Sequence, residues 1–251
     1  MMLRYISDIH IEFMNSTQVQ NLIRQFTAKS NEVLLLAGDI GNPFHSHYQQ
    51  FLDHINQTFR KTFLITGNHE YYSHGRSLAE TNSQIRMIVA KFPNISFLDN
   101  SSETFEGVHF IGTTLWSDVR AAKVTINDTK RILGMTPQTY QAEHTTCRIF
   151  LEHALQISPT SNTVVITHHM PSYDLIDPQY RSFSMEPYNA WFATDLNELI
   201  ETNKYRIKCW IYGHTHTASE QILQGVPMLC NPVGYPDERD TVDYHKQFLI
   251  V

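Results

Sequence analysis

Five short apolar runs in this chain are each followed at once by residues able to bind a cation. Leu3–Ile6 leads into Asp8 and His10, and Val33–Ala37 into Gly38 and Asp39. Phe63–Ile65 leads into Gly67, Asn68, His69 and Glu70, Val164–Thr167 into His168 and His169, and Cys209–Tyr212 into Gly213, His214 and His216. Runs of this length, rich in β-branched and aliphatic residues, read as strands buried on both faces. Val108–Ile111, Met228–Leu229 and Phe248–Val251 read the same way. Between them, apolar residues recur at helical steps over Val19–Ala28, Tyr48–Phe59, Arg76–Lys91, Pro137–Gln156 and Thr194–Thr202, the last with Thr194 as its expected N-cap and Asn197 three residues on. Strands alternating with helices predict an α/β layered fold, in which polar residues at the carboxyl ends of the strands converge on one ligand crevice.

A chain of 251 residues is long enough to bury a full core without a disulfide or a structural metal. No internal repeat, low-complexity tract or linker divides it, so residues 1–251 read as a single domain. Two stretches, 117–146 and 170–194, carry aromatic and polar residues with few strand signals, and are expected to form a lid or a substrate wall over the crevice. The formal charge of −6, with no basic cluster longer than Arg60-Lys61, argues against a long nucleic-acid track or an anionic lipid surface. A small phosphate-bearing substrate remains compatible. No apolar run approaches the roughly 18 residues that cross a bilayer, and the first ten residues lack the pattern of a signal peptide. The three cysteines, Cys147, Cys209 and Cys230, have no paired spacing, which fits a reducing cytoplasm.

The chemistry lies in the 14 histidines and the carboxylates beside them. A mixed set of carboxylate, imidazole and amide donors suits Mn, Fe, Zn or related divalent ions, and the absence of thiolates from it argues against a purely structural zinc. Asp8, His10, Asp39, Asn68, His168, His214 and His216 are too many ligands for one ion. Two ions about 3.5–4 Å apart, sharing one carboxylate, would use them all and leave positions for solvent and substrate. Asp39 is the natural bridge.

The ordered boxes Asp8-x-His10, Gly38-Asp39, Gly67-Asn68-His69-Glu70, His168 and Gly213-His214-x-His216 resemble the calcineurin-like metallophosphoesterase family, with every ligand box intact between positions 8 and 216. The resemblance implies a sandwich of two mixed β-sheets flanked by helices, with a dinuclear centre at the strand ends. It further implies Asp8, His10, Asp39 and His216 at one metal and Asp39, Asn68, His168 and His214 at the other. His69 would contact the phosphate, together with Asn68, and protonate the leaving group as the catalytic residue. The stretch Cys230-Asn231-Pro232-Val233-Gly234-Tyr235-Pro236 is similar to a bacterial subgroup of unassigned phosphoesterases, with Val233 where members tend to carry Arg.

Phosphate esters repel hydroxide and part with poor leaving groups. Their hydrolysis therefore needs a nucleophile available at neutral pH, neutralised phosphoryl oxygens and a proton donor for the departing alkoxide. Solvent bridging two cations would supply the first, as a metal-bridging hydroxide. Within the family the rivals are a nuclease and a non-catalytic partner-binding module; an intact ligand set beside His69 weighs against the second. Several neighbours keep two readings. His169 either faces substrate or is a buried hydrogen-bonded residue, and Glu70 either orients His69 or stabilises a following helix start. Tyr71, Tyr72 and Trp116 read as packing rather than as substrate contacts. His45 and His47 read as solvated or locally bonded, and His54, His74, His109, His144, His153 and His245 form no cluster. Oligomeric state has no signal in the sequence.

Overall fold

The structure is a computed structural model that describes residues 1–27, 32–72, 75–159, 161–238 and 242–250. The N-terminal apolar runs become β1 (Met2–Ile6), β2 (Glu32–Ala37) and β3 (Lys61–Ile65), which pair in parallel. β4 (Ile95–Phe97) joins parallel to β3, and β11 (Gln247–Leu249) joins antiparallel to β1. The second sheet has the order β5-β6-β7-β8-β10-β9. Its parallel centre is β6 (Val108–Thr113), β7 (Thr163–Thr167), β8 (Ile207–Tyr212) and β10 (Val226–Cys230). Its antiparallel edges are β5 (Ser101–Phe105) and β9 (Ser219–Leu223). This is the expected sandwich of two mixed sheets.

The sheets face each other through Leu3, Tyr5, Val33, Leu35 and Phe63 on one side and Phe110, Val164, Ile166, Cys209 and Ile211 on the other. The Phe63 and Phe110 rings stack across the interface at 4.1 Å. Alternate residues of β2, Leu34 and Leu36, point the other way, into a second cluster with Val19, Phe51, Ile55 and Ile85. These come from α1 (Ser16–Gln25), α2 (Ser46–Thr58) and α3 (Leu78–Val89). Burial on both faces is why the central strands read as unbroken apolar runs. The far face of the second sheet is covered by α5 (Pro137–Gln156) and α7 (Asn197–Asn203).

Some boundaries differ from the sequence reading. Thr194 does not cap a helix: α7 begins at Asn197, because the Thr194 and Leu196 amides donate instead to Met170 and Pro171 and hold that stretch against the 170 loop. The connection after β6 ends at Thr136, whose hydroxyl caps α5, so 137–146 packs as helix rather than as a lid. Trp116 and Tyr71 are buried in the core. Ala28, His74 and Val251 lie outside the described residues. Among the described residues no helix is long and apolar enough to cross a membrane.

Candidate metal centre

The parallel strands of both sheets end at the same edge, and each ends in a tight loop that turns its polar residues inward. Asp8, His10, Asp39, His214 and His216 all sit in the left-handed region, with φ between 51° and 68°. That conformation costs a non-glycine residue about 1 kcal/mol or more. The loops hold one another there: Asp8 N donates to Gly38 O at 3.0 Å, His10 N to Asp39 O at 2.9 Å, and Gly213 N to His168 O at 2.9 Å. Glu70, fully buried, accepts from the amides of Asp39, Ile40, Gly41 and Gly67. It sits in the first turn of the one-turn helix His69–Tyr71, makes no side-chain bond to His69, and ties the β2 and β3 loops together. Burial, with the Asp39 charge nearby, pushes its carboxyl up to about 8.

All seven predicted ligands converge. The donors of Asp8, His10 and His216 lie within 4.8 Å of one another, as do those of Asp39, His168 and His214. Asp39 Oδ2 stands between the groups, 3.8 Å from His10 Nε2 and 3.4 Å from His168 Nε2. Asn68 Oδ1 reaches His168 Nε2 at 3.1 Å, and His168 Nε2 lies 3.2 Å from His214 Nδ1. A Cβ on Gly67 would come within 2.2 Å of Asp39 Oδ1, and one on Gly213 within 2.8 Å of Asp8 Oδ2. These glycines are what let the carboxylates approach.

The electrostatics fit a cation site. Burial opposes ionisation of Asp8 and Asp39, yet His216 holds the Asp8 carboxyl below its usual range, and His168 with His69 does the same for Asp39. Against their own burial, the facing carboxylates push His168 up to about 10 and His216 up to about 9. Buried carboxylates gather positive charge wherever they find it; here protons occupy the role that a divalent ion would take. His214 is driven well below its ordinary value by burial and by its neighbouring imidazoles, so it offers a neutral nitrogen. The chemistry of the donor set and the room left by the glycines therefore suit divalent metal.

His69 lies just outside these groups. Its Nδ1 is 3.0 Å from Glu12 Oε1, which is also 3.1 Å from His10 Nδ1, and its Nε2 is 3.2 Å from the Tyr235 hydroxyl. His10, Glu12 and His69 form a third group of close donors. Of its two readings, His169 has the geometry of the buried, hydrogen-bonded one: its Nε2 is 3.0 Å from the Tyr140 hydroxyl, and it does not line the cavity. Burial and the charge on His168 hold it near 3, an uncharged ring packed behind His214 at 4.3 Å.

Other residues of the site have no signal in the sequence. Asp128, in the one-turn helix α4 (Asp128–Arg131), accepts from Asn68 Nδ2 at 2.9 Å and from the Tyr72 hydroxyl at 2.5 Å. Tyr72 is thus a site residue, its ring 4.3 Å from that of His69, rather than packing. Glu238 lies 2.7 Å from His216 Nδ1. Val233 is buried and its amide donates to Ser7 O at 2.9 Å, so this position serves packing against the first sheet. A cavity of about 580 Å³ opens above the centre, walled by Thr125–Asp128, Lys130 and Arg131 and by Met170, Met185, Tyr188 and Phe192 from the two long connections.

The calcineurin-like phosphoesterase family matches residues 1–218. An uncharacterised protein, L509, of Acanthamoeba polyphaga mimivirus is 30% identical over 265 residues, spanning 95% of this chain and 92% of that protein. The crystal structure of the phosphopantetheinyl hydrolase of Mycobacterium tuberculosis superposes with a TM-score of 0.75 at 18% identity, over 98% of this chain and 95% of that one, a likeness of fold. Every ligand box lies inside the matched stretch and at the strand ends of the shared sandwich, and the chain belongs to the calcineurin-like phosphoesterase family.

Proposed function

We propose that the protein is a hydrolase of a small phosphomonoester or phosphodiester that works with two divalent cations. Asp8, His10, Asp39 and His216 would hold one, and Asp39, Asn68, His168 and His214 the other. The observation that carries this reading is the position of Asp39 Oδ2 between His10 and His168, at 3.8 and 3.4 Å. Bound there, divalent ions would acidify water for attack at neutral pH and offset the charge of the phosphoryl oxygens.

The chain's own residues supply the rest. Burial opposes a charged His69, but the Asp39 and Glu12 carboxylates outweigh it and raise the imidazole above its ordinary value. Those carboxylates favour the protonated ring. Glu12 takes the Nδ1 side of the ring, so Nε2, now 3.2 Å from the Tyr235 hydroxyl that also lines the cavity, is the atom that would pass a proton to the departing alkoxide. The walls from 125–131 and 170–192 support a small substrate over a polymer. We read residues 1–251 as one domain, and the free, buried Cys147, Cys209 and Cys230 support a reducing, cytoplasmic setting.

The test is a hydrolysis screen of mono- and diesters in Mn, Ni, Co, Zn and Fe, with elemental analysis of the same preparation. Turnover tracking about two bound metals per chain is expected. Metal-loaded protein that turns over none of the esters would replace this reading with a binding module.

A further inference from the structure

The cavity above the metal centre holds far more than a phosphate. At about 580 Å³ it has the size of sites that enclose a whole organic ligand. Its floor is His69 and His214, and each is flanked by an aromatic ring: Tyr72 lies 4.3 Å from His69, and Phe192 lies 4.6 Å from His214. Above them Met170, Ile176, Met185 and Tyr188 continue an apolar wall.

One side of the cavity reverses the sign of the site. Lys130 and Arg131 border it, and among the described residues neither pairs with a carboxylate. The Arg131 guanidinium instead lies over the Tyr72 ring at 5.5 Å. In a chain of net charge −6, whose centre is built from buried carboxylates, these two exposed cations, neither paired with a carboxylate, make this wall the part of the cavity that favours an anionic group. Beneath Tyr72, Asp128 Oδ2 is buried without a hydrogen-bond partner and offers an acceptor. An orphaned buried acceptor is unfavourable until a donor arrives.

We propose that the substrate is a phosphoester whose organic part carries a flat ring and a second anionic group, the chemistry of a nucleotide with phosphates on two separate hydroxyls. One phosphate takes the metal centre. The ring packs between Tyr72 and Phe192, a hydroxyl or ring N–H meets Asp128 Oδ2, and the second phosphate meets Arg131 and Lys130. This rests on the phosphoesterase reading above and narrows its substrate.

The test compares three probes on the metal-loaded protein: an adenosine bisphosphate with its phosphates on separate hydroxyls, adenosine monophosphate, and an abasic ribose bisphosphate. Charge-assisted contacts to the second phosphate should favour the adenosine bisphosphate over the monophosphate by about tenfold or more in kcat/KM, and by calorimetry in Kd. The base should favour it over the abasic compound similarly. Lys130→Gln with Arg131→Gln, both exposed and so harmless to folding, should bring the bisphosphate-to-monophosphate ratio near one. A ratio near one in the unaltered protein, or a ratio the double variant leaves unchanged, overturns the proposal. Nitrophenyl phosphate in the same preparation separates the two readings. Its hydrolysis with no preference between the adenosine probes defeats only the substrate class. Inertness of nitrophenyl phosphate and of every adenosine probe defeats the phosphoesterase reading, and the calorimetric ratio still decides the ligand.

Discussion

The Asn68 amide donates from Nδ2 to Asp128 Oδ1 at 2.9 Å, which turns its Oδ1 toward His168. An amide is free to flip unless one end is claimed, and only its oxygen can ligate a cation. Asp128→Ala should weaken metal binding about 10- to 100-fold, as loss of a residue that orients a ligand does. Asp128→Asn keeps an acceptor for Nδ2 and should retain more. Metal titration of both variants checks this, and equal affinity of Asp128→Ala and the unaltered protein would refute the positioning role.

His69→Ala should keep both metals and lose about 10²- to 10⁴-fold in turnover. The deficit should shrink for nitrophenyl esters, whose leaving group departs without a proton. A uniform deficit across leaving groups, or loss of metal with activity, would show a different role. Glu12→Gln should give an intermediate deficit, because Glu12 holds the Nδ1 side of the same ring.

Gly67→Ala would bring a methyl group within 2.2 Å of Asp39 Oδ1 and 2.6 Å of the His168 ring. Overpacking of this kind destabilises by about 1–3 kcal/mol and here also pushes the shared carboxylate off its position. A lower melting temperature together with lost metal is expected. Gly107→Ala, where a Cβ meets nothing but φ is +79°, carries a backbone cost without crowding the centre, so it should lower the melting temperature and leave metal binding intact.

In the metal-free protein the imidazoles of His168 and His216 are raised from 6.5 to about 10 and about 9. A raised histidine contributes stability that is full below its unfolded value and fades as pH rises through the folded one. Metal-free stability should therefore decline between about pH 7 and 10. Metal binding runs the other way, since each ion must displace these protons, and affinity should rise by up to about tenfold per pH unit per displaced proton. Calorimetry in two buffers of different ionisation enthalpy reads the released protons directly. A pH-independent affinity would contradict the assignment.

How much was legible follows from chain locality. Asp8, His10, Asp39, Asn68, His168, His214 and His216 stand next to apolar runs, so strand periodicity alone placed them at one edge. Strands β5 and β9 carry no strand signal in the sequence because they are half-exposed edges, Ser101–Phe105 and Ser219–Leu223, without an apolar run. Asp128 lies 60 residues beyond Asn68 in a stretch of weak pattern, and Tyr235 lies 166 residues beyond His69. Nothing near them marks them as partners.

By itself the sequence determined which donors reach the centre, because a strand buried on both faces must put its first polar residues at its end. The tertiary structure alone decided what surrounds them. Whether Glu70 ties loops, His169 faces inward, Asp128 grips Asn68 or Arg131 borders the cavity depends on side-chain directions set by distant backbone. That distinction is physical: burial patterns repeat along the chain, whereas hydrogen bonds and charge contacts at the site are made between segments that meet only once both sheets have packed.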